Sequence, residues 1–306
     1  MEIYDLIIVG GGPGGYTAAL YGARAGLSTL VLEKLYAGGQ MALTNQIDNY
    51  PGFPDGVDGF TLADKMQRGA ENAGAVTVNA QVQNVDLQSM PKQVVTDGDT
   101  FYAKAVILAT GATPRELGLA EEADLVGRGI HYCAACDGMF YRGKTVAVVG
   151  GGNTAAADAL LLSRVAKKVY MIHRRDTLRA TKIYHQPLMK AENVEFLWNN
   201  EVTALHREDS FAGITVRDRT TGEEKRVDCD GVFVSIGRKP ETELVQGQVV
   251  LDEAGYVVAG ESTKTNLPGV FAVGDVRTKD LRQIVTAVAD GAVAIHAAEE
   301  YLARTE

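Results

Sequence analysis

The stretch Asp5-Leu6-Ile7-Ile8-Val9-Gly10-Gly11-Gly12-Pro13-Gly14-Gly15 restricts the fold of this chain more than any other. An unbroken apolar run leads straight into Gly10-x-Gly12-x-x-Gly15. A run without alternation suits a strand buried on both faces, the strand of a parallel sheet. A helix-forming stretch, Tyr16 to Ala25, follows, then a second apolar strand, Ser28 to Leu32, closing on Glu33. The first glycine allows a tight turn, the second lets backbone approach a pyrophosphate, and the third lets helix pack on strand. Pro13 and Gly14 complete the turn, and the free N–H groups of the helix start face the phosphates. Glu33 is placed to accept hydrogen bonds from a ribose diol. A lone glycine motif is weak; strand before, helix after and a terminal acid make this one a dinucleotide fingerprint.

The pattern recurs about 140 residues later. Lys144 to Val149 is a buried strand, and Gly150-Gly151-Gly152-Asn153-Thr154-Ala155 repeats the turn, with alanine at the third position. A helix runs on to about Val165, and a strand spans Lys168 to Ile172. A repeat at this scale implies two dinucleotides. The second copy ends differently, in His173-Arg174-Arg175-x-x-x-Arg179. A carboxylate at that place favours a free 2′-hydroxyl, whereas arginines accommodate a 2′-phosphate, so this copy is expected to prefer NADPH. The fold class is α/β, with two Rossmann-like dinucleotide-binding domains. Each is expected to have a parallel sheet and a small antiparallel β-meander. The meanders are read at Val76 to Val85 with Gln93 to Ala103, and at Glu192 to Val202 with Ile214 to Val227. Ala105 to Ala112 and Gly231 to Gly237 read as buried strands with small ends, where Thr110 and Gly111 allow a cofactor to come close.

Between the copies lies His131-Tyr132-Cys133-Ala134-Ala135-Cys136-Asp137-Gly138. Two thiols at this spacing can close a small disulfide ring. Helical geometry from the first would set one sulfur at a helix start, where thiolate is favoured over thiol. Thiolate is the form that attacks a disulfide. Asp137, beside the second sulfur, can pass a proton. The other reading is half of a zinc site, but such a site needs further Cys or His at short spacing. The one other cysteine is Cys229, and no paired histidines appear. Three cysteines in 306 residues is the usage of a reducing compartment. His131 is a weaker candidate for the proton carrier than Asp137, and Cys229 reads as a packed thiol. No metal is expected.

The net charge of −9 opposes a general nucleic-acid surface. No apolar run approaches the ~18 residues of a membrane span. The N-terminus enters a strand without a basic, apolar leader, so a cytoplasmic protein is expected. Gly274-Asp275 closes a short strand before a helix that begins near Arg282-Gln283-Ile284. Asp275 there suits a polyol hydroxyl or a helix cap.

Taken together, these motifs resemble the low-molecular-weight, bacterial-type NADPH-dependent thioredoxin reductases over essentially the whole chain. Gly39-Gln40, Asn49-Tyr50-Pro51-Gly52 and Ala109-Thr110-Gly111-Ala112-Thr113-Pro114 add to the match. The most specific feature is the Cys pair inside the second nucleotide domain. Larger disulfide reductases carry theirs near the N-terminus and add a dimerisation domain. The resemblance implies a homodimeric flavoprotein. Its FAD domain would comprise residues 1–113 and 244–306, and its NADPH domain residues 114–243. FAD would lie on Gly10, Gly12, Pro13, Gly14, Gly15 and Glu33, with Gln40, Asn49, Thr110, Gly111, Asp275, Arg282, Gln283 and Ile284 around it. NADPH would lie on Gly150, Gly152, Asn153 and Thr154, with His173, Arg174, Arg175 and Arg179 toward the 2′-phosphate. Electrons would pass from NADPH through FAD to Cys133–Cys136 and on to the disulfide of thioredoxin. Cys136 would face the flavin, Cys133 would attack thioredoxin, and Asp137 would handle the proton. Domain rotation about hinges at 116–118 and 239–243 would alternate the two electron transfers. The same fold also serves reductases of glutaredoxin-like or peroxidase-linked carriers, while flavin-linked ferredoxin–NADP reductases lack the Cys pair. The chain departs from the family where an acid near the nicotinamide is usual: Ala157 stands there, followed by Asp158. Slower flavin reduction is the expected consequence.

Overall fold

The computed structural model describes residues 2–304 apart from 45 and 209. Its chain divides into two units, Met1–Thr113 with Lys239–Glu306, and Pro114–Arg238.

In the first unit the glycine-ended strand Ile3–Val9 is flanked by two parallel neighbours, Thr29–Glu33 and Thr100–Leu108. Alternate residues of these strands feed two cores. Leu6, Ile8, Val31 and Ile107 pack with Tyr16, Ala18 and Ala19 of the helix Pro13–Arg24 and with Ala294 and Ala298 of the helix Ile284–Leu302. Ile7, Val9, Leu30, Leu32 and Val106 pack on the opposite face with Val85, Val94, Val245 and Val257. Burial of each such side chain contributes roughly 1.5–3 kcal/mol, so the apolar run is held from both sides. The strand Val270–Ala272 adds in parallel beyond Thr100–Leu108. Its end leads into the turn Gly274–Val276 and so fixes Asp275.

The first meander differs from the sequence expectation. Val76–Asn79 pairs in parallel with Thr29–Glu33. The antiparallel part is Val82–Asp86, Lys92–Thr96 and the early residues of Thr100–Leu108. That long strand is exposed at its start and buried at its end. Its alternating half serves the meander and its apolar half serves the parallel sheet, so one seven-stranded sheet holds both.

In the second unit Thr145–Val149 lies between Lys168–His173 and Gly231–Val234, all parallel. Val194–Trp198 extends this sheet in parallel, where the sequence had suggested a meander strand. Its apolar residues are unbroken but for Glu195, closer to the pattern of a parallel strand than to an alternating one. The meander proper is Asn200–Arg207, Phe211–Asp218 and Glu224–Val227. It covers one sheet face through Phe211, Ile214 and Val216. The helix Asn153–Ser163 covers the other through Ala155, Ala159 and Leu162. No helix among the described residues is long and apolar enough to cross a membrane.

Candidate active site

Cys133 and Cys136 are joined as a disulfide with Cα atoms 5.3 Å apart. No group of three or more His, Cys, Asp or Glu among the described residues could hold a metal ion. Cys133 caps the single turn Ala134–Asp137, and its sulfur accepts the Cys136 N–H at 3.2 Å. A donor already aimed at that sulfur stabilises negative charge on it once the disulfide opens.

Asp137 does not stand alone. Its Oδ2 lies 3.0 Å from Nδ1 of His131, and Nε2 of the same ring lies 2.7 Å from the Tyr141 hydroxyl. His131 is 6% exposed and stacks on Phe233, its register partner on the neighbouring parallel strand. Tyr141 packs edge-on against both rings. Gly231 makes room for it, since a Cβ there would collide with the tyrosine ring. Burial first, and then the charge of Asp137, push the Tyr141 hydroxyl up to about 12. The sequence ranked His131 low and did not single out Tyr141. No spacing rule links residues 131, 137 and 141, which meet only because His131 lies on the short strand Ile130–His131, paired with Gly231–Val234. Cys229 is buried and free, and burial pushes its thiol up to about 12, which makes it unreactive at neutral pH.

In the first glycine turn, Gly10 has φ +105° and a Cβ there would lie 2.5 Å from the Ala109 carbonyl oxygen. The Gly11 N–H donates to Glu33 Oε2 at 2.6 Å, and the Gly11 carbonyl accepts from Gly38 N–H. Gly12 faces open space: a Cβ there would meet nothing within 4 Å. Gly14 lies against Gly274 and Ala287, which brings the turn to the start of the last helix. Asn49 donates to the Gln283 side chain at 3.0 Å, and Arg282 lies over the Tyr256 ring and bonds the Asp275 carbonyl. Ile284 opens the helix just beyond them. Thr110 donates to the Glu241 carbonyl, and Gly111 takes a positive φ beside it. Gln40 is exposed on the turn Gly39–Leu43.

In the second unit Gly150 also takes a positive φ, and Gly152 also faces open space. The Gly151 carbonyl accepts from Arg179 N–H at 2.7 Å, which ties the arginine segment to the turn. Asn153 and Thr154 lie at the helix start, and the Asn153 side chain accepts from Thr181 N–H. His173 lies against Gly151, where a Cβ would run into its ring. Its Nε2 is buried with no hydrogen-bond partner among the described residues. Burial first, and then Arg179, Arg175 and Arg174, push the imidazole below its ordinary value, so it is neutral at neutral pH. The three arginines are exposed, and none forms an ion pair among the described residues. Asp158 turns its carboxylate to the Ser235 hydroxyl at 2.5 Å, beside the end of Gly231–Val234.

Open space over the middle glycine, beside N–H donors in one unit and exposed arginines in the other, fits a dinucleotide in each. The family model described as pyridine nucleotide-disulphide oxidoreductase matches residues 4–291. The chain belongs to this family. Thioredoxin reductase of Streptomyces clavuligerus is 46% identical over 99% of this chain and 95% of its own length. The bifunctional thioredoxin reductase/thioredoxin of Mycobacterium leprae is 43% identical over 98% of this chain and 66% of its length. Among solved structures, thioredoxin reductase of Streptococcus pyogenes superposes with a TM-score of 0.91 at 40% identity, over 99% of each chain.

Proposed function

We propose that this chain is an NADPH-dependent flavoprotein that reduces the disulfide of thioredoxin. The observation that carries this reading is the Cys133–Cys136 disulfide, followed directly in the chain by Asp137, whose carboxylate is held by a buried imidazole. It lies in the same unit as the glycine turn with its three arginines. We assign FAD to the unit Met1–Thr113 with Lys239–Glu306. There Gly10, Gly12, Pro13, Gly14, Gly15 and Glu33 hold the pyrophosphate and ribose. Gln40, Asn49, Thr110, Gly111, Asp275, Arg282, Gln283 and Ile284 serve the remainder. NADPH belongs to the unit Pro114–Arg238, on Gly150, Gly152, Asn153 and Thr154, with His173, Arg174, Arg175 and Arg179 toward its phosphate.

When bound, the two nucleotides supply the electron pair that each disulfide reduction consumes. The remaining chemistry belongs to this chain's own side chains. Reduced, Cys133 carries the negative charge, because the Cys136 N–H is aimed at its sulfur. Its thiolate attacks the thioredoxin disulfide to form a mixed disulfide, Cys136 resolves it, and Asp137 holds the proton that the departing sulfur needs. A homodimer in a reducing cytoplasm completes the reading, consistent with a free, unreactive Cys229.

The test is an anaerobic absorbance titration with NADPH, with NADH in parallel, followed by addition of oxidised thioredoxin. NADPH is expected to bleach a flavin band at far lower concentration than NADH, and thioredoxin to restore it. A yellow protein that neither nucleotide bleaches would overturn the assigned electron donor. Bleaching without recovery on adding thioredoxin would overturn the acceptor.

A further inference from the structure

We propose that His131 is a positioning residue that keeps Asp137 supplied with a proton, with Tyr141 behind it; this rests on the disulfide-reductase reading above.

The geometry is a linear chain. Tyr141 hydroxyl, His131 Nε2, His131 Nδ1 and Asp137 Oδ2 follow one another at 2.7 Å and 3.0 Å across the ring. Asp137 is the outer end, with 17% of its side chain exposed, and His131 is the inner member at 6%. Both ring nitrogens are engaged, so the ring is oriented as well as buried. Phe233 from the adjacent strand stacks on it. Facing groups that titrate or carry charge are Asp137 and Tyr141 on the ring itself, and Asp230, Cys229 and Lys144 around Tyr141. A carboxylate accepts, so the proton of this pair rides on Nδ1 when Asp137 is ionised. An isolated aspartate has lost its proton well below neutrality, at about 3.9, whereas an imidazole keeps one to about 6.5. The carboxyl and the imidazole, 3.0 Å apart, therefore act as one pair that carries an extra proton between them.

The steps balance. The reduced pair holds a Cys133 thiolate and a Cys136 thiol. The thiolate attacks one sulfur of the substrate disulfide, a new sulfur–sulfur bond forms, and the other sulfur departs as thiolate. That thiolate takes the one extra proton that the Asp137–His131 pair carries, on the carboxyl or on the ring, which leaves a carboxylate facing a neutral imidazole. Cys136 then attacks Cys133, gives its own proton back to the Asp137–His131 pair and expels the second thiolate, which is protonated by water. The substrate disulfide has gained two electrons and two protons. The Cys pair has lost two electrons and one proton, and the pair of proton carriers is as it began.

The experiment compares two reactions of the reduced holoenzyme in single turnover: oxidation by oxidised thioredoxin, and alkylation of Cys133 by iodoacetamide. Both need the Cys133 thiolate, but iodide leaves without a proton. His131→Asn keeps an N–H toward Asp137 and cannot titrate. The ratio of thioredoxin rate to alkylation rate is expected to fall by on the order of tenfold, a part of the 10²–10⁴ typical of general acid–base catalysis. The alkaline limb of the thioredoxin profile is expected to move to lower pH. Tyr141→Phe, which keeps the ring packing, is expected to lower the ratio severalfold and decides the matter if His131→Asn does not fold. An unchanged ratio and limb in the folded variants overturns the proposal. A wild-type protein whose Cys133 is alkylated but is not oxidised by thioredoxin overturns the function reading instead.

Discussion

The two glycine turns share a backbone plan and differ in the side chains set on it. In each, the strand end, the tight turn and the helix start follow the same register: Val9 pairs with Leu32 in one unit, and Val149 with Ile172 in the other. Glu33 and His173 therefore occupy equivalent places. Glu33 grips the Gly11 N–H, whereas His173 lies flat against Gly151 and leaves the acceptor's place to a neutral ring among arginines. The carbonyl of the second glycine is bonded from the following segment in both, by Gly38 in one and by Arg179 in the other. The third position is Gly15 against Ala155. A Cβ on Gly15 would collide with the Gly10 carbonyl, while the second unit accommodates one. One scaffold thus carries a carboxylate acceptor in its first copy and exposed cations in its second, which under the proposed function would meet a ribose and a phosphate. The difference lies in the residues just after the second strand.

The sharpest way to break the comparison is to exchange the third position. Gly15→Ala forces a methyl against backbone that cannot swing away and is expected to destabilise the first unit by about 3 kcal/mol, read by denaturant unfolding and by loss of bound flavin. Ala155→Gly in the second unit should cost only about 1 kcal/mol, the helix propensity difference. Arg174→Ala combined with Arg179→Ala tests the cationic side. Each charge-assisted hydrogen bond contributes about 1.5–3 kcal/mol, so the Kd for NADPH is expected to rise at least tenfold, while that for NADH moves little. Equal losses for both nucleotides would place the arginines away from the 2′-phosphate.

Ala157→Glu sharpens the comparison within the second unit. It introduces the acid that the family resemblance leads one to expect at this position and is expected to speed NADPH-dependent flavin bleaching severalfold in stopped flow. No change in rate would remove the functional weight of this departure. The smallest effect is expected at Asp158. Burial raises its carboxyl above the ordinary value of 3.8, against the lowering effects of the Ser235 hydroxyl and Arg238. A raised acid favours the native state only while protonated, so its contribution is lost as pH rises through the folded value. Asp158→Asn is therefore expected to raise Tm at pH 7, with the difference shrinking toward pH 3.

Much of this was legible in the chain. The apolar run ending at Gly10, its counterpart ending at Gly150, and the acid or arginines after each second strand follow from spacing alone, because backbone geometry ties them together locally. The meanders were read less well. Val76–Asn79 and Val194–Trp198 joined the parallel sheets instead, since a short strand carries no local mark of which neighbour it will pair with. Among the candidate site residues, Asn49 and Gln283 are 234 positions apart yet share a hydrogen bond; the resemblance to known proteins had grouped both around one cofactor without linking them to each other.

By itself the sequence determined the repeated turn, the chemistry of each strand end and the presence of a thiol pair with an acid beside it. These depend on residues within a few positions of one another, where bond geometry leaves few choices. The tertiary structure decided what surrounds that acid. His131 reaches Asp137 and Tyr141 because a two-residue strand is added beside Gly231–Val234, about 100 residues further along, and because Gly231 leaves space for a tyrosine ring. Such a contact depends on strand pairing and packing volume between distant segments, and no local pattern records either.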